Sequence, residues 1–387
     1  MTPIVLERPG AVKLVALPPL ALYVHIPWCV RKCPYCDFNS HERAGALPEQ
    51  EYVARLMRDI EESLPSVWGR RVVSVFIGGG TPSLFSPESI DALLSGARAR
   101  LALEPDAEIT LEANPGTVEA ARFRGFREAG VNRISIGVQS FDDRMLGALG
   151  RIHSGLEALR AIEAAAACFD NVNIDLMYAL PGQSAAMARA DLQQAIRLGV
   201  PHVSAYQLTI EPNTVFWSRP PALPEHDAAA DMQLALEDLL GAAGYQHYET
   251  SAFARPARRC RHNLNYWQFG DYLGIGAGAH GKVSFADRVT RHARAKQPAE
   301  YMKADAQPQE SVVAAGELPF EFMLNALRLV EGFAPALFTE RTGLPITVVE
   351  RELEAAEARG LLERDWKRIR PSVRGRRFLN ELLQSFL

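Results

Sequence analysis

Through its first 270 residues the chain alternates short β-branched runs with longer stretches whose apolar residues recur at helical spacing. The runs LYVHI (22–26), VVSVFI (72–77), EITLEA (108–113), RISIGVQ (133–139), VNIDLMY (172–178) and HVSAYQL (202–208) predict six strands. Between the first two, residues 49–64 set Tyr52, Leu56, Ile60 and Leu64 four apart on one stripe, the mark of an amphipathic helix. Segments 89–101, 118–129, 155–167 and 186–198 repeat that pattern. Ser86 followed by Pro87 offers an N-cap with proline in the first turn, and Gly130 and Gly199 stand where helices end. Six strands each followed by a helix imply an α/β fold with a parallel sheet buried on both faces. Such a sheet can close into a full barrel, stop as an incomplete one or stay open and doubly wound, and strand counting leaves all three open. The connectivity does predict where ligands go, on the loops at the carboxyl ends of the strands.

From about Phe253 the alternation breaks into an aromatic, basic stretch, followed by a linker-like region over 296–311. Residues 317–332 then predict a helix, and 335–342, 348–359 and 372–386 carry further helical pattern, with LLERDWKRIRP between the last two as a short two-strand wing. The expected organisation is an N-terminal segment (1–20), a core (21–252), a bridging segment (253–311) and a winged-helix-like C-terminal domain (312–387). With 42 basic against 46 acidic residues the net charge is −4, which argues against a nucleic-acid surface. No apolar run approaches the ~18–20 residues of a membrane span. The first residues lack the basic start and apolar run of a signal peptide. Five cysteines, an odd and sparse count, exclude a disulfide scaffold and point to a reducing cytoplasm. The oligomeric state is left open, a homodimer included.

The strongest chemical signal is Cys29-Val30-Arg31-Lys32-Cys33-Pro34-Tyr35-Cys36, three thiols within eight residues on the loop after the first strand. Soft thiolates select zinc, copper(I) or iron–sulfur. A structural zinc site needs a fourth ligand; His25 and His41 are in reach, but at no common zinc spacing. A [4Fe–4S] cluster can use three cysteines and keep one iron open. Gly78-Gly79-Gly80-Thr81-Pro82-Ser83 follows the second strand, where glycine lets the backbone approach a ligand. Glu112, Gln139 and Asp175 end or interrupt apolar strands, and Arg151 follows the fourth; buried polar groups of this kind need partners. Gly276–Gly281 formally matches G-x-G-x-x-G but opens no helix of a βαβ unit, so a turn at the bottom of the cofactor site is expected. Cys168, ending an alanine-rich helix, is expected in the core.

Tyr23-Val24-His25-Ile26-Pro27-Trp28-Cys29 and the triad together resemble the signature of the radical S-adenosylmethionine (SAM) superfamily, in the form of its oxygen-independent coproporphyrinogen-oxidase-like branch. The resemblance covers nearly the whole chain. It implies a partial (β/α)6 barrel with a C-terminal winged-helix-like domain. It further implies a [4Fe–4S] cluster on Cys29, Cys33 and Cys36, SAM on the open iron, and a reductant whose electron splits SAM into methionine and a 5′-deoxyadenosyl radical. Gly79, Gly80, Thr81, Glu112, Gln139, Arg151 and Asp175 match family positions that contact SAM, with Tyr23 packing nearby.

Two features bear on the branch. Coproporphyrinogen dehydrogenases carry C-x3-C-x2-C-x-C and a longer N-terminal extension; here Phe38 stands at the extra cysteine's position and only about 20 residues precede the first strand. His262-Asn263-Leu264-Asn265-Tyr266-Trp267 resembles the hallmark of HemW-type heme chaperones. That resemblance implies heme held near His262, Tyr266 and Trp267 for delivery to acceptor apoproteins, with Phe269 as a further cover and Cys260 as a thiol contact. The iron ligand stays open. Oxidative decarboxylation of coproporphyrinogen III is the competing reading, and a zinc-stabilised binding module the third.

Overall fold

The computed structural model describes residues 12–117 and 120–387. Residues 1–11 of the N-terminal segment and the first two of the predicted helix 118–129 therefore lie outside the described residues. The six predicted strands form as β1 (Leu20–Ile26), β2 (Arg71–Gly79), β3 (Ala102–Ala113), β4 (Arg133–Gln139), β5 (Val172–Tyr178) and β6 (His202–Gln207). Neighbours in this series pair in parallel and in chain order. Each is followed by a helix: α1 (Glu49–Val67), α2 (Pro87–Arg100), α3 (Ala120–Glu128), α4 (Gly155–Ala166), α5 (Ala185–Leu198) and α6 (His226–Ala242). The Ser86 hydroxyl accepts from Ser89 N at 3.2 Å, and Gly199 ends α5 at φ 68°, as the sequence signals require.

The sheet is wider than the alternation suggests. Beyond β6 it continues through β7 (Gln246–Glu249) and β8 (Ala252–Ala254). On the other side it adds β9 (Asp271–Ile275), β10 (His280–Ser284), β11 (Val289–Ala293) and β12 (Gln309–Val312). The order is β12-β11-β10-β9-β1-β2-β3-β4-β5-β6-β8-β7. Only β9 of the added strands runs parallel to its neighbour, β1; the other pairings are antiparallel. β7 and β12 are not paired to each other, so the barrel stays open. The expected linker over 296–311 is thus corrected: a short helix, Pro298–Tyr301, buries Tyr301, and β12 is an edge strand.

Helix α1 bridges the two halves of this sheet. Its stripe of Tyr52, Leu56 and Ile60 is fully buried, while the Tyr52 hydroxyl donates to His25 O and accepts from Ala277 N, both at 2.8 Å. Across the next layer Asp271 sits fully buried between Lys282 (2.6 Å) and Arg70 (2.8 Å). Burial alone would raise its pKa, but the two cations hold the carboxyl below its ordinary range.

A second apolar core forms the C-terminal unit: α7 (Arg261–Trp267) leads toward α8 (Leu318–Ala326), α9 (Pro335–Thr342) and α10 (Glu350–Ala358). The wing is β13 (Leu362–Arg364) against β14 (Ile369–Pro371), followed by α11 (Val373–Arg377) and α12 (Leu379–Gln384). The predicted helix 317–332 stops at Ala326 because the chain turns back through Gly332 to bridge Phe333 to Ile369; a Cβ on Gly332 would meet Ile369 O at 2.0 Å. The predicted helix 372–386 breaks at Phe378. Replacing Asp271 by alanine strands two buried cations, so the denaturation midpoint should fall by the equivalent of about 3–5 kcal/mol. A loss under about 1 kcal/mol would show that the trio carries no structural weight.

Candidate cofactor and ligand site

The cysteine loop leaves β1 at its carboxyl end and is cinched by a short parallel pair, Trp28–Cys29 with His41–Glu42. All three thiols are free, half-buried and line one cavity of about 270 Å³. Each has a polar neighbour: Thr81 Oγ1 lies 3.6 Å from Cys29 Sγ, Arg151 Nη1 3.7 Å from Cys33 Sγ and Ser40 Oγ 3.8 Å from Cys36 Sγ. Burial pushes the Cys29 and Cys36 thiols up, against the hydrogen bonds from Thr81 and Ser40. Ionising them therefore calls for a cationic metal centre. Neither histidine completes a zinc shell. His25 is engaged at both nitrogens, by the Tyr23 hydroxyl (3.0 Å) and Asn39 O (2.8 Å), and His41 Nε2 lies 3.3 Å from Lys296 O. Among the described residues no three His, Cys, Asp or Glu side chains gather around one ion. A cluster suits the donor set better, because it spreads its thiolates over separate irons.

The glycine loop after β2 closes on the cysteine loop from below. Gly80 N donates to Ile26 O (2.8 Å) and Thr81 N to Trp28 O (2.7 Å). A Cβ on Gly80 would sit 2.5 Å from Trp28 O, and one on Gly79 (φ 114°) 2.6 Å from the His25 ring, so both positions demand glycine.

Glu112, Gln139, Arg151 and Asp175 converge on the same cavity, as do Gly79, Gly80 and Thr81. Glu112 accepts from Gly79 N at 3.1 Å. Burial, then the neighbouring Asp175 carboxylate, push Glu112 up to about 7. Asp175 is itself raised by burial, although Asn173 (2.9 Å) and Ser135 (3.2 Å) donate to it. Gln139 ends β4 at φ 69°, a left-handed conformation for a non-glycine residue. Arg151 donates to Asn114 Oδ1 (2.5 Å) and Gly137 O (2.7 Å), and Asn114 Nδ2 donates to Thr81 Oγ1 (2.8 Å). Sequence reasoning missed Asn114, Tyr35 and Tyr206 in this lining. Asn114 stands two residues past Glu112, just beyond the end of β3, a position that could have flagged it; a tyrosine in a loop or strand carries no comparable signal.

Tyr23 opens instead onto a second cavity of about 810 Å³, together with Phe76, His262, Tyr266 and Trp267. This cavity shares Cys36, Phe38, Ser40, Gly79 and Glu112 with the first. His262 Nδ1 lies 3.4 Å from Ser74 Oγ, and its ring packs tilted by 34° against Phe76 at 5.0 Å between centroids. Burial and then Arg133 lower its pKa to about 3, so the imidazole is neutral at physiological pH, the form that ligates a metal.

Three expectations are corrected here. Cys260 is fully buried, its Sγ 3.5 Å from Glu108 Oε1, so it touches neither cavity. Phe269 belongs to the C-terminal core, under Lys282 at 4.3 Å. The Gly276–Gly281 turn contributes Gly278 and His280 to the second cavity rather than a floor to the first. Cys168 follows α4 and packs against the main core, half-buried.

Because Glu112 binds a proton more tightly folded than unfolded, it adds stability below about pH 4.5 that is lost as pH rises toward 7. Glu112→Gln should flatten the fall in unfolding free energy between pH 4.5 and 7, by up to about 3 kcal/mol across the window. Superimposable pH profiles for the variant and the parent would contradict this placement.

The radical SAM superfamily model matches residues 23–195, and the HemN C-terminal domain model residues 313–378. The chain is 52% identical over 376 residues to the heme chaperone HemW of Escherichia coli (strain K12), covering 97% of this chain and 100% of that protein. It is 48% identical over 377 residues to the heme chaperone HemW of Haemophilus influenzae, covering 96% and 98%. Among solved structures, coproporphyrinogen III oxidase (HemN) from Escherichia coli superposes with a TM-score of 0.80 at 23% identity, over 96% of this chain and 90% of that one, a likeness of fold.

Proposed function

The chain belongs to the HemW family of the radical SAM superfamily, and from that premise we propose that it is a heme chaperone, binding heme in the second cavity and passing it to acceptor apoproteins. The observation that carries this reading is the shared wall. A large, aromatic-lined cavity holding a neutral imidazole shares five lining residues with the cavity of the three cysteines. Its volume of about 810 Å³ falls within the ~300–1,000 Å³ range of small-molecule sites.

In this reading Cys29, Cys33 and Cys36 hold a [4Fe–4S] cluster, and Gly79, Gly80, Thr81, Glu112, Gln139, Arg151 and Asp175 hold SAM. Once bound, the cluster supplies single electrons from a cellular reductant and an iron corner open to the cofactor. Arg151 braces Cys33 and, through Asn114, the glycine loop. Glu112, pushed up to about 7 by burial and Asp175, would ionise more readily against a cationic ligand and so favours the sulfonium and ammonium groups of SAM. His262 would supply an imidazole to the heme iron while Tyr266, Trp267 and Tyr23 give the cavity its aromatic surface. No helix among the described residues is long and apolar enough to cross a membrane, and the proposed setting is the cytoplasm.

Phe38, 62% exposed, stands at the shared rim where the oxidase pattern has its extra cysteine. In anaerobic titrations followed by heme absorbance, His262→Ala should weaken heme binding by about tenfold or more, the scale of one lost iron–imidazole contact. Unchanged affinity removes His262 from the site. Incubation with coproporphyrinogen III, SAM and a reductant under strict anaerobiosis should yield no protoporphyrinogen; robust turnover replaces this reading with the oxidase.

A further inference from the structure

The second cavity has two chemically distinct sets of lining residues. Tyr23, Phe76, Tyr266 and Trp267, with His262, supply aromatic surface. The same lining carries two lysines, Lys32 and Lys296, both exposed. Lys32 Nζ donates to Phe38 O (3.2 Å) and Ser40 O (3.3 Å), which holds the ammonium over the cavity mouth and leaves its third N–H unspent. Lys296 is fixed through its backbone: its carbonyl accepts from Asn39 Nδ2 (2.8 Å) and lies 3.3 Å from His41 Nε2. Its ammonium is in none of the ion pairs formed among the described residues. The other charged groups in the lining are Asp37 on the exposed rim and Glu112 on the shared inner wall. Burial and Asp175 push Glu112 up to about 7, which weakens its opposition to the lysines. His41 and His280 add two further donors at the rim.

A cavity lined by aromatic rings and by two lysines, the ammonium of Lys32 held by carbonyls and the backbone of Lys296 fixed beside it, suits a flat ligand with acidic substituents on one edge. We propose that Lys32 and Lys296 form a carboxylate-recognising rim that selects porphyrins with free side-chain carboxylates and sets the edge by which they enter. The proposal rests on the reading of this cavity as the heme site and adds the feature of the ligand that it discriminates. The lysines act by charge and direct hydrogen bonding at the rim, away from the iron. Their removal therefore changes which porphyrin is preferred and leaves the absorbance signature of the ligated iron in place.

The test uses the full chain, anaerobically reconstituted, titrated with hemin and with hemin dimethyl ester, whose carboxylates are masked. The wild type should bind hemin at least about fivefold tighter than the diester, the scale of one or two exposed charge pairs. Lys296→Glu and, separately, Lys32→Gln should lower hemin affinity and leave diester affinity within about twofold, closing the gap with unchanged bound-heme spectra. Lys296→Gln, which removes the charge without reversing it, should fall between. Equal binding of the two porphyrins by the wild type, or a parallel loss of both in the lysine variants, overturns the rim while the heme reading stands. Failure of the wild type to bind either porphyrin overturns both.

Discussion

The backbone clearance between the first two strand-end loops governs the rest of the site. Gly80 donates to Ile26 O and lies against Trp28 O with no room for a side chain, and Gly79 faces the His25 ring just as closely. That contact sets the height of Cys29 above the sheet, and the pairing of residues 28–29 with 41–42 then folds the remaining loop back over the cavity. His25 serves as a strut here: with one nitrogen on Tyr23 and the other on Asn39 O, it joins the strand to the far end of the cysteine loop. A residue that resembles a metal ligand in the sequence is, in the fold, part of the frame.

The electrostatics follow from the same packing. Two carboxylates, Glu112 and Asp175, are buried in the same wall, where burial raises both and Asp175 further disfavours ionisation of Glu112, and burial resists ionisation of two of the three thiols. Buried carboxylates and thiols of this kind favour cationic ligands, which offset the cost of ionising them. A positively charged cofactor and a metal cluster each supply what the protein withholds. The second cavity differs in character, since its imidazole is neutral, its wall aromatic and its rim basic. One boundary, formed by Cys36, Phe38, Gly79 and Glu112 among others, separates two chemistries.

Much of this was legible in the chain, for identifiable reasons. The β1–β6 runs are rich in Val and Ile because parallel strands are buried on both faces, and their boundaries fall close to the predicted ones except in β3, which begins at Ala102 rather than Glu108. The triad and glycine loop are contiguous motifs, so one linear reading finds them. β9 and β10 escaped because YLGIGAGAHG, rich in glycine, reads as a turn, whereas Gly274 is in fact needed where His280 O crosses it (a Cβ would meet it at 1.9 Å). Cys260 and Phe269 flank the His262–Trp267 segment in sequence but lie outside its helix, Cys260 turned to Glu108 before it and Phe269 packed into the C-terminal core after it. Asn114 and Tyr206 enter the site through tertiary contact, which residue type alone does not encode.

The most direct test of the account is elemental and spectroscopic analysis of the anaerobically reconstituted chain. It predicts about four irons and four sulfides per chain, with a reduced-state electron paramagnetic resonance signal that changes shape when SAM is added, as expected for three thiolates leaving one iron accessible. A preparation that takes up zinc but no sulfide, or a signal indifferent to SAM, would contradict it.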